Sequence, residues 1–147
     1  LLAYLPKLCR ELLGEDLRLA NVRTWWCGDP VSLGYVLSNL TDYVFKPAFP
    51  GMRMEPVFPA TLDADRRAAF VDRLKAKPRD YVAQERISLS MSPCLVGDRF
   101  VPRAAVLRAY LAAEGDSFTV MPGGLTRVAA SADSMIVSMQ RGAGSKD

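Results

Sequence analysis

The spacing of apolar residues changes along this chain, and that change restricts the fold more than any other feature. Over residues 1–13 apolar side chains recur at helical intervals. Leu1, Leu5, Leu8 and Leu12 fall on one face, with Lys7, Arg10 and Glu11 mostly on the other. Gly14 supplies a C-terminal stop. After residue 80 the helical period is lost. Tyr81 to Leu89, Val101 to Ala112, Ser117 to Met121 and Met135 to Met139 read as strands. Gly115-Asp116 offers a tight turn before Ser117. Helices first, then a mixed stretch, then mostly strands predicts an α+β fold, with an antiparallel or mixed sheet and flanking helices.

The middle of the chain fills in this outline. Val22 to Cys27 is short, β-branched and aromatic, so it predicts a strand. Asp29-Pro30 marks a helix start, an N-cap followed by proline in the first turn. Leu33, Val36, Leu37 and Leu40 give that helix its buried face. Tyr43 to Lys46 is a further strand. Gly51 to Pro59, with alternating Met52, Met54 and Val57, reads as a mobile loop or hairpin of weak strand character. Asp63 or Thr61 caps a third helix carrying Phe70, Val71 and Leu74, and Lys77-Pro78 ends it.

The totals exclude several classes of function. The chain has 147 residues, enough for about one domain with its own core. No apolar run approaches the ~20 residues of a membrane span. A net charge of +3, with acidic and basic residues interspersed, lacks the basic stripe of a nucleic-acid binder. Three widely spaced cysteines, Cys9, Cys27 and Cys94, fit a reducing, cytoplasmic setting and no disulfide framework. With no histidine, His-based triads and His metal sites are excluded within these residues. The chain does not begin with methionine and ends on Gly144-Ser145-Lys146-Asp147 without a visible stop. We expect a piece of a longer protein, whose site can be shared with absent segments.

Five features carry potential chemistry. Lys46 lies among Val44, Phe45, Pro47, Ala48 and Phe49, where an ammonium either snorkels to water or meets an anion, phosphate being the leading candidate. Tyr81-Val82-Ala83-Gln84-Glu85 is an apolar strand ending in two polar residues. It either emerges into solvent or offers its backbone to a planar base and its carboxylate to a ribose. Arg108, flanked by Leu107 and Ala109, shares a strand face with Val106 and Tyr110 and, if buried, needs a carboxylate or phosphate. A structural ion pair is the plain alternative. Met121-Pro122-Gly123-Gly124-Leu125-Thr126-Arg127-Val128 permits close backbone approach beside an arginine, which suits an anion or any turn. Gln140-Arg141-Gly142-Ala143-Gly144-Ser145-Lys146 can form an N–H-lined concavity or a disordered end, and it lacks the P-loop spacing. Several cations focused on one cleft would serve phosphoryl transfer, where positioning and charge neutralisation dominate.

These stretches, with Thr24-Trp25-Trp26-Cys27-Gly28, Lys46-Pro47-Ala48-Phe49 and Leu107-Arg108-Ala109-Tyr110, run in order across nearly the whole chain. In that order they resemble the circularly permuted ATP-grasp family, a distant relative of glutathionylspermidine synthetase often found with an α-helical "alpha-E" domain. The resemblance makes residues 1–147 a partial ATP-grasp domain: a helical lead-in over 1–41 and a nucleotide-binding α+β core over 42–147. It implies that Lys46 contacts ATP phosphates and that Gln84 and Glu85 lie beside adenine and ribose. Arg108 and Arg127 would face the γ-phosphate and an acyl-phosphate. Gln140, Arg141, Gly142, Gly144 and Lys146 would approach the reacting end, with Arg141 sharing the catalytic role. By the resemblance, Ala143 stands where many relatives keep a third glycine. The Gly51–Pro59 loop would be the phosphate-covering segment, though it is proline-rich.

The resemblance also implies ATP and Mg²⁺ as cofactors, the magnesium ligands lying upstream of Leu1 and none of them in this segment. The expected function is the ATP-binding part of a carboxylate–amine, or carboxylate–thiol, ligase acting through an acyl-phosphate. Its partners would be ATP, a small carboxylate, amine or peptide-like substrate, and an alpha-E-type domain in cis or in trans, with no nucleic acid and no membrane. The fragment alone would be inactive. The alternative is a non-catalytic nucleotide-binding or assembly module of a larger protein.

Overall fold

Aspartate, glycine and proline set the helix boundaries in the computed structural model, which describes residues 1–52, 54–132, 137 and 144–146, Lys146 by its backbone alone. Helix α1 (Leu5–Leu13) follows a 3-10 turn at Leu2–Tyr4 and stops at Gly14, whose φ of +69° is left-handed and whose N–H reaches Arg10 O at 3.0 Å. Helix α2 (Pro30–Ser38) opens on Asp29, whose carboxylate accepts the Ser32 N–H at 2.8 Å. Hydrogen bonds from Ser32, side chain first and then backbone, hold that carboxyl below its ordinary pKa. Pro30 costs nothing at the first helical position, where its missing N–H has no partner to lose. Of the two possible caps for α3 (Ala64–Ala76), Asp63 serves, accepting the Arg66 N–H at 2.8 Å. Thr61 closes a 3-10 turn instead, its hydroxyl donating to Phe58 O.

The chain divides into two units, Leu1–Ile87 and Ser88–Asp147. In the first, β1 (Thr24–Trp26), β2 (Tyr43–Pro47) and β3 (Tyr81–Glu85) form an antiparallel sheet in the order β1-β3-β2. Strand alternation assigns the two faces. Phe45, Ala83, Tyr43 and Tyr81 join Phe70 and Leu74 of α3, Val36 of α2 and Cys27 in the core. Phe70 meets Phe45 edge-on at 5.0 Å between ring centres and Tyr81 at 5.9 Å. Trp25 packs on Tyr43 and Tyr35. The alternate positions, Thr24 and Trp26, Val44 and Lys46, Val82 and Gln84, share the opposite face.

The expected strand from Tyr81 to Leu89 ends at Glu85. Its last register pairs are Thr24 with Gln84 and Tyr43 with Glu85, so both neighbours run out there. The weak strand character of Gly51–Pro59 is confined to one bridge, in which Val57 and Phe45 exchange N–H···O bonds of 2.8 and 2.9 Å. Gly28 is required by packing: a Cβ there would lie 2.2 Å from an indole carbon of Trp26. That indole is held by its own N–H, which donates to Arg79 O at 3.0 Å.

Cys27 is buried, and desolvation pushes its thiol up to about 12. A thiol in that state is neither nucleophile nor metal ligand near neutral pH. Cys9 and Cys94 are only partly buried. Alkylation of the native protein at pH 7.5 is therefore expected to label Cys9 and Cys94 first, with Cys27 modified only after unfolding. Peptide mass spectrometry would show this, and early labelling of Cys27 would contradict its burial.

The second unit holds two sheets. In one, β4 (Met91–Val96), β5 (Arg99–Arg108), β8 (Leu125–Val128) and β9 (Gly144–Lys146) are ordered β4-β5-β8-β9, all antiparallel. The other is the ribbon of β6 (Leu111–Glu114) and β7 (Ser117–Val120), closed by the expected Gly115-Asp116 turn with Gly115 at φ +59°. The single strand expected from Val101 to Ala112 is thus two. It breaks at Ala109-Tyr110 because β5 takes its partners from β4 and β8 whereas β6 pairs with β7. The strand expected at Met135–Met139 lies outside the described residues, apart from Val137.

Candidate functional site

Lys46 sits one residue from the end of β2, half-buried, on the sheet face away from the core. Register decides what it meets. Lys46 pairs with Val82, and Gln84 pairs with Val44 on one side and Thr24 on the other. Lys46 and Gln84 are therefore diagonal neighbours on one face, within reach of long side chains. The ammonium Nζ donates to Gln84 Oε1 at 2.5 Å. Gln84 Nε2 in turn donates to Thr24 Oγ1 at 3.3 Å, and Thr24 Oγ1 donates to Val22 O at 2.8 Å. This relay has one member on each strand of the sheet.

The amide is a neutral acceptor, so it orients the ammonium without cancelling its charge. No ion pair joins Lys46 to a carboxylate among the described residues, where Arg10–Asp16, Arg18–Glu15 and Arg66–Asp63 are exposed pairs elsewhere. Burial holds the Lys46 pKa below the usual lysine value. A partly dehydrated ammonium with two N–H groups beyond the one given to Gln84 fits a phosphate oxygen. Glu85 ends β3 on the other face by alternation, and its backbone N–H is bound to Arg23 O at 2.9 Å. Gln84 and Glu85, adjacent in sequence, thus point to opposite sides of the sheet, and the Gln84 side chain turns to Lys46.

In the second unit, Arg108 is exposed, contrary to the burial considered for it. At the end of β5 the β4 partner has already run out at the Met91–Ala104 pair, so only β8 flanks Arg108. It shares its face with Val106, but Tyr110 lies beyond the strand. Arg108 pairs with Leu125 and Arg127 with Val106, which puts the two arginines diagonally on one face. Arg127 Nε is buried without a hydrogen-bond partner among the described residues, as is Arg103 Nε. Arg103 spends another N–H on Ala129 O at 3.3 Å. The glycine pair has a packing reason: a Cβ on Gly124 would lie 2.9 Å from Leu107 Cδ1 and 3.0 Å from Arg108 O, so only glycine brings β8 this close to β5. Gly123 turns the chain at φ +88°.

Gln140, Arg141, Gly142 and Ala143 lie outside the described residues. Gly144–Lys146 form β9, paired with β8 so that Ser145 opposes Arg127 and Lys146 opposes Thr126. These three residues make an extended edge strand. Lys46, Gln84 and Glu85 belong to the first unit, and Arg108, Arg127, Gly144 and Lys146 to the second. Among the described residues no three Asp, Glu or Cys side chains converge as a metal site. The described residues therefore do not supply a magnesium site built from three or more protein carboxylates. No helix among them is long and apolar enough to cross a membrane.

The residue missed from the sequence is Thr24. Its position in Thr24-Trp25-Trp26 was visible, but nothing local says that Gln84, 60 positions away, pairs with it.

The chain is built of helices and antiparallel sheets, an α+β fold. The model for the circularly permuted ATP-grasp type 2 family matches residues 1–129, and the chain belongs to that family. It is 40% identical over 149 residues to an uncharacterised protein of Synechocystis, covering 99% of this chain and 30% of that protein. It is 33% identical to an uncharacterised protein of Mycobacterium tuberculosis, covering 98% of this chain and 26% of that protein. It is 36% identical to a Frankia casuarinae protein named "Putative glutamate--cysteine ligase 2-2", covering 99% of this chain and 17% of that protein. The chain thus spans less than a third of the length of each of these curated relatives.

Proposed function

We propose that this chain is the ATP-binding part of an ATP-dependent carboxylate–amine or carboxylate–thiol ligase. One observation carries the reading: in an ATP-grasp chain, the half-buried ammonium of Lys46 is held by a neutral amide, and no ion pair joins it to a carboxylate among the described residues. A phosphate of ATP is the anion that suits it. In the proposed reaction a carboxylate oxygen attacks the γ-phosphorus, the bond to the β-phosphate oxygen breaks, and ADP leaves. The acyl-phosphate is then attacked at its carbonyl carbon by an amine or thiol, which loses a proton as inorganic phosphate departs. Arg108 and Arg127 are proposed to offset charge on the transferring phosphoryl group, with Arg141, Gln140, Gly142, Gly144 and Lys146 toward the reacting end and Glu85 toward the ribose. An alpha-E-type domain is the proposed partner.

The name of the Frankia relative agrees with a ligase. This chain forms a smaller share of that protein than of the Synechocystis one, 17% against 30%, so the Frankia protein carries further sequence to which its name can refer. The reading therefore rests on the family and on Lys46. A screen of the full-length protein for ADP release, run over paired carboxylate and amine or thiol libraries, tests it. ADP formation dependent on both members of one pair is the expected result. Nucleotide binding without turnover on any pair would support a non-catalytic nucleotide-binding module, and absence of nucleotide binding would overturn the ligase reading and leave the assembly module.

A further inference from the structure

We infer that Thr24 is a positioning residue: acting through Gln84, it fixes the acceptor that aims the Lys46 ammonium. The inference rests on Lys46 being a nucleotide contact and adds a residue that neither the family match nor the sequence patterns assign. A threonine hydroxyl has one proton to give, and Thr24 gives it to Val22 O at 2.8 Å. Only its lone pairs then face Gln84, 3.3 Å away. Gln84 must present its NH₂ to them, which turns Oε1 toward Lys46. The flipped amide would set an oxygen against the Thr24 lone pairs and an NH₂ against an ammonium, losing both contacts. The two ends of a glutamine amide are nearly alike in shape, so packing cannot choose between them. The ammonium favours Oε1 on one side, and the Thr24 hydroxyl holds the amide in that orientation from the other.

The consequence is preorganisation. A lysine stem is long and flexible, and ordering it on ligand arrival costs affinity. With one N–H already tied to Gln84, the remaining N–H groups of Lys46 have a set direction before the anion arrives. Because Thr24, Gln84 and Lys46 stand on β1, β3 and β2, the tie spans the sheet and is broken by a change at its far edge.

The test is ATP titration calorimetry on the full-length protein and on Thr24→Val, Thr24→Ser, Lys46→Met and the Thr24→Val/Lys46→Met double variant, with a melting curve for each. Thr24→Val is nearly isosteric but has no acceptor, and it is expected to weaken ATP about five- to tenfold. Thr24→Ser restores the hydroxyl and should restore the affinity. In the double variant the Thr24 change should have no further effect, since its route runs through Lys46. If Lys46→Met leaves ATP binding unchanged, the nucleotide reading itself fails. If Lys46→Met weakens binding but Thr24→Val does not, or if the two losses simply add, the positioning role is wrong. Should Thr24→Val not fold, Thr24→Ala carries the same cycle.

Discussion

Lys46→Met is expected to weaken ATP binding about ten- to a hundredfold, the range for losing a hydrogen bond to a charged group, while the melting temperature stays level or rises. The two effects have opposite signs for one reason. The folded protein holds this ammonium partly out of water, opposite an acceptor that bears no charge. That arrangement costs stability and favours an arriving anion. Methionine keeps the apolar stem and removes the charge.

The pH dependence follows from the direction of the shift. The Lys46 pKa lies lower in the folded state than in the unfolded chain. Between the two values the unfolded chain binds more protons, so stability rises with pH across that window, just below the ordinary lysine range. ATP affinity should fall across the same window as the ammonium is lost. Titration calorimetry and melting curves at matched pH values check both trends. Lys46→Met should flatten the rise in stability. Equal loss of affinity and of melting temperature in that variant would mean that Lys46 is a structural residue.

Phe45→Ala, one position away, is expected to do the reverse. Phe45 is fully buried and packs on Phe70. Truncating such a side chain costs about 3–5 kcal/mol. That is a large share of a stability of roughly 5–15 kcal/mol, so the variant should lose much of its folded population. The Val57 bridge depends on the same strand position, so the connection after β2 should loosen with it. Urea unfolding would show the midpoint dropping, with the slope unchanged if the loss is one of packing alone. A midpoint like that of the parent protein would contradict the burial of Phe45. Neighbouring residues of one strand thus divide their work, because β2 turns Phe45 to the core and Lys46 away from it.

Much of the fold was legible. The Asp29-Pro30 and Asp63 helix starts, the Gly14 stop and the Gly115-Asp116 turn are local devices, and each forms where the sequence placed it. The missed elements have local causes too. Pro93 argues against a strand, yet β4 includes it, opposite Pro102. As the edge strand of its sheet, β4 can place a residue without an N–H where no ladder bond is lost. The glycines before Leu125 read as a turn, while the residues behind them pair with β5 as β8. Apolar sequence neighbours left the burial of Arg108 open, because burial depends on how many strands flank it.

The candidate site was legible by residue type and only partly by arrangement. Lys46 stood out because an ammonium among Val and Phe demands an explanation that sequence alone can pose. Its partner could not be named, since Gln84 lies 38 positions away and Thr24 60 beyond Gln84 in the other direction. The sequence by itself determined the Asp29 helix start, the Gly14 stop, the Gly115-Asp116 turn, the α+β order of elements and the family. Those follow from side-chain chemistry within a few residues and from matched motifs in order. Tertiary structure alone decided that Lys46 meets a neutral amide, that Thr24 holds that amide from its other side, and that Gln84 and Glu85 face opposite ways. All three depend on strand register, and a slip of one residue would turn every one of these side chains to the other face.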